Sequence, residues 1–265
     1  GFVPNVGLVV GERATLIVDT GMGPDNGAIV LEEARKLSDN TEFYLTATHF
    51  HPEHDLGATA FPANAKMIRW RGQQAETDEQ GAQTIERFSA FSPAVATLLS
   101  KASYRKPDTV FDDELTLDLG GVHVRLSGVG PAHTRGDTVM YVEEDKVLLT
   151  GDVVMPVFPA ASAQSANIEQ WLASIAEFQE FAPPVVVPAH GKLIDATTLA
   201  RTREYLAAVQ TQTRAAKRQG QSVEAAQAAI APALAQQFGD LAPQGGAPAT
   251  GRINAAIQAA YRAAP

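Results

Sequence analysis

The chain has 265 residues, 45% of them hydrophobic, which is enough for one large or two modest folded units with a buried core. Lys and Arg number 21 against 30 Asp and Glu, a net charge of −9 that argues against nucleic acid as the main partner. The absence of cysteine excludes disulfides, thiolate metal sites and thiol nucleophiles together, leaving any metal to His and carboxylate ligands.

Charged or turn residues interrupt every apolar run before the roughly 18 residues a membrane helix needs, so no membrane span is expected. The chain begins at Gly1 rather than Met, which leans the expectation towards a periplasmic or secreted protein.

Phe2 to Val10 already looks like a strand, and apolar runs from Val6 to Val18, broken at Gly11-Glu12-Arg13, predict two strands joined by a tight turn. Pro24 and Asp25 then open a helix on which Ile29, Val30, Ala34 and Leu37 recur at helical spacing, and Phe43 to Thr48 reads as a buried strand. Strand, helix and strand in that order imply a parallel pair. The strand leads directly into His49-Phe50-His51-Pro52-Glu53-His54, where α/β folds bind ligands.

A short strand follows at Lys66 to Arg69. The polar stretch from Gly72 to Lys106 then reads as a helical insertion, with Ile85, Phe88, Phe91, Val95, Leu98 and Leu99 on its apolar face. Leu115, Leu117 and Leu119, then Val122, Val124 and Leu126, alternate with polar neighbours. With Thr138 to Val142 and Lys146 to Leu149 they predict an antiparallel run in a second sheet. Asn167 to Phe181 is helical in pattern, and Val185 to Val187 delivers a last strand into Pro188-Ala189-His190-Gly191. Beyond Ala196 the chain is Ala-rich and helical, broken near Gly220 and again across Ala242 to Thr250.

Five of the six histidines fall in loops that follow predicted strands; His123 lies inside a strand and reads as an exposed strand residue. His49 and His51 bend towards one cation from a turn, and His133 completes a three-nitrogen set typical of a catalytic zinc with an open position. His54, Glu53, Asp152 and His190 offer a second set of nitrogen and oxygen ligands. Asp55 reads as an N-cap or first-turn residue, and Arg135 and Asp137 as either supports of the His133 loop or a surface ion pair. Met155-Pro156-Val157-Phe158-Pro159, with Trp70, Phe88 and Phe91, either walls a substrate pocket or fills core. No Ser lies in a G-x-S-x-G setting and Gly21-Met22-Gly23 does not extend to G-x-G-x-x-G, which removes serine hydrolysis and dinucleotide binding.

His49-x-His51-x-Glu53-His54, Pro131-Ala132-His133-Thr134, Gly151-Asp152 and Ala189-His190-Gly191, in this order, resemble the metallo-β-lactamase superfamily of hydrolases. Asp19, within Val18-Asp19-Thr20-Gly21, is similar to the superfamily's first motif. The resemblance implies an α/β fold, a four-layer αββα sandwich of two mixed sheets flanked by helices. Residues 1–195 would form the metal-binding domain with its insertion at 72–106, and 196–265 a helical extension packed on the same domain.

The resemblance further implies that His49, His51 and His133 hold one Zn2+, that His54 and His190 hold a second, that Asp152 bridges them, and that Asp19 supports the ligands from beneath. Iron or manganese are the other metals the ligands suit. Zinc-bound hydroxide would attack a carbonyl, making Asp152 and Glu53 the catalytic carboxylates. Glu53 departs from the superfamily's usual Asp, and its roles are ligand of the second metal, general base, or bystander of a one-metal site.

A β-lactam or lactone is the first expectation for the small-molecule substrate. Thioester hydrolysis, or iron-dependent sulfur oxidation of glutathione-type substrates, is the alternative, with Arg201, Arg203, Arg214, Lys217 and Arg218 either an anion pocket or a solvated helix face. A metal-binding protein without turnover is the reading from another class.

Overall fold

Alternating apolar residues at the N-terminus build a hairpin: β1 (Gly7–Val10) runs antiparallel to β2 (Ala14–Val18), with Gly7 opposite Val18. It belongs to a computed structural model that describes residues 4–161, 166–242 and 249–264; Phe2, Val3 and most of the predicted break across Ala242 to Thr250 lie outside the described residues. Helix α1 (Gly23–Leu37) starts with proline in its first turn and ends with Arg35 and Lys36, each suited to that end. It crosses from β2 to the parallel β3 (Glu42–Thr46), as the strand, helix and strand pattern requires.

A short α2 (Pro52–Asp55) carries Glu53 and His54 and continues into a 3-10 turn, Leu56–Ala60. Next come β4 (Lys66–Trp70), α3 (Arg71–Ser89), α4 (Pro93–Leu99) and β5 (Thr109–Phe111), a strand that its three residues left illegible in the sequence. The first sheet has the order β1-β2-β3-β4-β5.

The second sheet takes β6 (Glu114–Asp118), β7 (His123–Gly128), β8 (Thr138–Val142) and β9 (Val147–Gly151) as an antiparallel run. After α5 (Ile168–Glu180), β10 (Val185–Pro188) joins parallel to β9, so both sheets are mixed. The chain ends in α6 (Ala196–Arg218), α7 (Val223–Gln237) and α8 (Ala249–Ala263). Among the described residues no helix is long and apolar enough to cross a membrane.

Three apolar clusters make the layers. Leu16, Val18, Ile68, Val124, Leu126 and Met140 fill the space between the sheets. Ile17, Leu31, Ala34, Phe43 and Leu45 join α1 to the outer face of the first sheet. Trp171, Ile175, Phe178, Tyr205, Leu206 and Ile257 join α5, α6 and α8 outside the second. Burial of each large apolar side chain contributes about 1.5–3 kcal/mol.

Because successive strand side chains alternate, β2 serves two layers: Leu16 and Val18 face the partner sheet while Ile17 faces α1. The result is the αββα sandwich of two mixed sheets. Gly27 and Gly57 let α1 lie directly on the turn that follows His54, since a Cβ on Gly27 would come within 2.0 Å of the Gly57 carbonyl oxygen.

Candidate metal centre

The site is built where strands end. The segment after β3 supplies His49 and His51, α2 supplies Glu53 and His54, the β7–β8 loop His133, the end of β9 Asp152 and the end of β10 His190. His49 Nε2 lies 3.0 Å from His51 Nδ1, and His133 Nε2 lies 3.4 Å from that same atom. Asp152 stands between the two halves, its Oδ2 3.4 Å from His133 Nε2 and its Oδ1 3.7 Å from His190 Nε2. His54 Nε2 is 3.9 Å from Glu53 Oε1.

Three groups have donor atoms within 4.8 Å of one another: His49 with His51 and His133; His49 with His54 and Asp152; and Glu53 with His54 and His190. The structure therefore brings together all seven side chains that the motifs single out. His123 is not among them; it is 44% exposed and pairs with Glu144.

The rings of His54 and His133 are each aimed by their second nitrogen. His54 Nδ1 donates to Asp19 Oδ2 at 2.8 Å, so Nε2 faces the cluster. Asp19 also accepts from the Thr48 amide at 2.7 Å and the Thr48 hydroxyl at 3.0 Å, bracing the segment before His49. Asp19 holds φ 64°, a left-handed conformation that a short polar side chain tolerates. His133 Nδ1 faces the Ala160 carbonyl and leaves Nε2 inward.

Gly151, at φ 56°, brings the end of β9 against Thr48: a Cβ there would stand 2.6 Å from that of Thr48. That close approach sets Asp152 beside the histidines.

Burial is the first influence on His49, His51, Glu53, His54 and Asp152. It holds His49 and His51 well below the usual histidine range, aided by their neighbouring rings, so both offer lone pairs at neutral pH. It raises the Glu53 carboxyl. On His54 burial is outweighed by the Asp19 carboxylate, then by Glu53 and Asp152, which raise it to about 9. On Asp152 it is outweighed by His133, His54, His190 and Arg252, which lower the carboxyl.

Among the described residues, Glu53 Oε2, His54 Nε2 and Asp152 Oδ1 are buried without a hydrogen-bond partner. Converging orphaned atoms of nitrogen and oxygen type are what a borderline or hard divalent cation satisfies, and the donor set fits such an ion.

For the flanking residues the structure chooses between the alternatives. Asp55 does stand in the first turn of α2 and at the N-cap position of the 3-10 turn, but its side chain caps neither; it is fully buried and takes two bonds from Arg69 Nη2, at 2.6 and 2.7 Å, which pins the turn behind His54. Arg135 does not pair with Asp137; it reaches Glu79 on α3, while buried Asp137 accepts from the Ala132 and Thr134 amides and the Thr134 hydroxyl, shaping the His133 loop.

Phe88, Phe91, Met155, Pro156 and Val157 line a cavity of about 1140 Å3 above the cluster, whereas Trp70 packs on Gly72 and Gly128 and Phe158 against Tyr205. Of the basic residues on α6, Arg201 binds Asp240, Arg214 binds Glu169 and Lys217 binds the carbonyls of Tyr261 and Ala264; none of these lines the cavity.

Four residues escape a reading of the sequence. Gln73 and Glu76 on α3 are buried, Gln73 donating to the Ala47 carbonyl and Glu76 accepting from the Arg135 and Gly136 amides. Arg87 and Arg252 line the cavity from α3 and α8. Nothing local marks Gln73 or Glu76, whose partners are 26 to 60 residues away, or Arg252, whose partner Phe158 is 94 away.

The fold and site together define a class: an αββα sandwich whose strand ends gather seven side chains of metal-ligand type. The metallo-β-lactamase superfamily model matches residues 1–190, and the chain belongs to that superfamily. Over 242 residues it is 24% identical to the linear primary-alkylsulfatase of Pseudomonas sp. (strain ATCC 19151), covering 78% of this chain and 46% of that one. Over 164 residues it is 26% identical to the acyl-coenzyme A thioesterase MBLAC2 of Homo sapiens, covering 57% and 58%.

The chain thus spans about half the length of the curated relatives it matches. Among solved structures, the sec-alkylsulfatase Pisa1 from Pseudomonas sp. aligns over 98% of this chain and 47% of its own, with a TM-score of 0.79 at 15% identity. A metallo-β-lactamase family protein from Thermus thermophilus aligns over 96% and 87%, with a TM-score of 0.65 at 19% identity.

Proposed function

We propose that this protein hydrolyses an ester with an alkyl portion and an anionic head, an alkyl sulfate first, using two divalent metals, zinc foremost. The cavity carries the reading: about 1140 Å3, roughly the upper limit for a small-molecule site, it is walled by Phe88, Phe91, Met155 and Val157 and floored by the polar ligands. An apolar tail covers that wall while a polar head meets the floor. A simple β-lactam or lactone ring without such a tail leaves the apolar wall uncovered. The acyl-coenzyme A thioesterase relative supports a thioester as the second reading, since an acyl thioester also joins an apolar chain to an anionic carrier.

In this reading His49, His51 and His133 would hold one ion and Glu53, His54 and His190 the other, with Asp152, grouped with His49 and His54, available to either. Such ions supply Lewis acidity and acidify bound water to a pKa of about 7. The protein's own contribution is positional. Asp19 fixes the His54 ring, the Ala160 carbonyl fixes His133, and Asp137 and Glu76 fix the loop that carries His133. Glu53, which burial inclines towards its protonated form without an ion, is the carboxylate whose removal separates one-metal from two-metal function.

The test is elemental analysis of wild type and Glu53→Ala together with turnover of octyl sulfate, octanoyl-coenzyme A, a chromogenic cephalosporin and a simple lactone. Two zincs falling to one in the variant, with sulfate release fastest in wild type, is the expected outcome. Preferential opening of the cephalosporin or lactone would overturn the substrate; equal metal content in both proteins would remove Glu53 from the ligand set.

A further inference from the structure

Three basic side chains, Arg87, Lys192 and Arg252, line the cavity above the cluster, and among the described residues none of them forms an ion pair with a carboxylate. Arg69, Arg135, Arg201 and Arg214 each hold an Asp or Glu, whereas Arg105 spends its donors on backbone carbonyls; what sets Arg87, Lys192 and Arg252 apart is that they border one cavity. In a chain of net charge −9, spare cations gathered round one cavity leave it electropositive once the floor carboxylates are taken up by metal.

Arg252 comes from α8 and is half-buried. Its Nη1 donates to the Phe158 carbonyl at 2.9 Å, which holds the planar guanidinium at the wall with donors to spare. Arg87 comes from α3, with its guanidinium carbon 5.6 Å from the centre of the Phe88 ring, a face that itself lines the cavity.

The carboxylates facing the same space are already committed. Glu53 and Asp152 belong to the ligand floor, and Asp240 is occupied by Arg201 through both oxygens, at 2.7 and 2.9 Å.

We propose that Arg87 and Arg252 form an anion-recognition pair that selects substrates with a compact sulfuric-ester head over neutral esters, one arginine contributed by the helices after β4 and the other by the C-terminal helices. The pair receives the oxygens of the head over the cluster, while the alkyl chain follows Phe88, Phe91 and Met155; Lys192, exposed at the lip, adds charge without a fixed geometry. Charge-assisted bonds from a planar fork to an oxyanion are directional as well as attractive, so the pair discriminates by shape and by charge. The proposal rests on the preceding reading only in taking this cavity as the substrate site.

The test measures binding of 1-octanesulfonate, which cannot be hydrolysed, against 1-octanol on the zinc-loaded protein by titration calorimetry. The wild type should favour the sulfonate by about a hundredfold, near tenfold per arginine. Arg87→Met and Arg252→Met should each lower that preference about tenfold, and added salt should weaken sulfonate binding more in wild type than in the double variant. Arg252→Lys should retain more of it than Arg252→Met, and it stands in if the methionine variant fails to fold for want of a donor to Phe158.

A wild type without preference, or a preference unchanged in both variants, would overturn the pair. Octyl sulfate turnover is read separately. Turnover with no arginine effect on sulfonate binding sinks the pair and leaves the hydrolase reading standing, whereas arginine-dependent sulfonate binding without turnover does the reverse.

Discussion

The ion pair between Asp55 and Arg69 is the sharpest stability test this fold offers, because it is buried and lies directly behind a metal-ligand candidate. Both side chains are at most 1% exposed, and Arg69 Nη2 meets the two carboxylate oxygens at 2.6 and 2.7 Å. Arg69 Nη1 donates to the Arg105 carbonyl and to Gln74, at 3.0 and 3.1 Å, while Arg69 Nε is buried without a hydrogen-bond partner among the described residues.

Arg69→Met keeps most of the volume and removes the charge, leaving Asp55 buried with no cation against it. Breaking a buried pair in this way costs about 3–5 kcal/mol, since the stranded charge cannot be rehydrated. Asp55→Leu should cost a similar amount by stranding the guanidinium. The double variant, with neither charge left, should be less destabilised than the sum of the two, by a coupling of about 1–3 kcal/mol.

Urea unfolding of the four metal-free proteins, followed by Trp fluorescence, gives the cycle. A loss below about 1 kcal/mol in either single variant, or strict additivity, would refute the argument that the pair is desolvated and mutually dependent.

His51→Ala should remove metal of the first set and depress turnover by orders of magnitude while the far-ultraviolet circular dichroism spectrum is retained; full metal content in this variant would contradict the ligand set. Asp137→Ala strands three donors of the His133 loop and should weaken zinc affinity about 10- to 100-fold, read by chelator competition. Gly57→Ala should lower the melting temperature sharply. Its Cβ would meet the Thr20 carbonyl oxygen at 1.9 Å and Gly27 Cα at 2.9 Å, an overpacking of backbone on backbone at or above the usual ~1–3 kcal/mol.

His123, whose pKa is raised by its hydrogen bond to Glu144, should titrate above the ordinary histidine value by NMR and fall back in Glu144→Gln. Since the folded value is the higher one, the pair favours the fold below the ordinary histidine pKa, and that contribution is lost as pH rises through the folded value.

What the sequence alone determined is local and periodic. The alternation in Leu115 to Leu119 and Val122 to Leu126 made the antiparallel run legible, the helical recurrence in α1 made the β2–α1–β3 unit legible, and clustered histidines after strands marked the candidate metal centre. Such signals need no partner from elsewhere, because strand facing and helix facing are properties of spacing. β5 was not legible, as three residues carry no measurable period.

Tertiary structure decided the rest. Asp55 reads as a polar turn residue until Arg69, 14 residues on, folds against it. Asp137 and Glu76 hold the same loop although 61 positions separate them in the chain. Arg252 sits in an Ala-rich helix with no distinguishing neighbour, and only the packing of α8 beside α5 and α6 carries it to the cavity that Arg87 lines from α3. Partnerships of that kind depend on where whole elements come to rest, and burial, which sets the strength of each charge, exists only once they have done so.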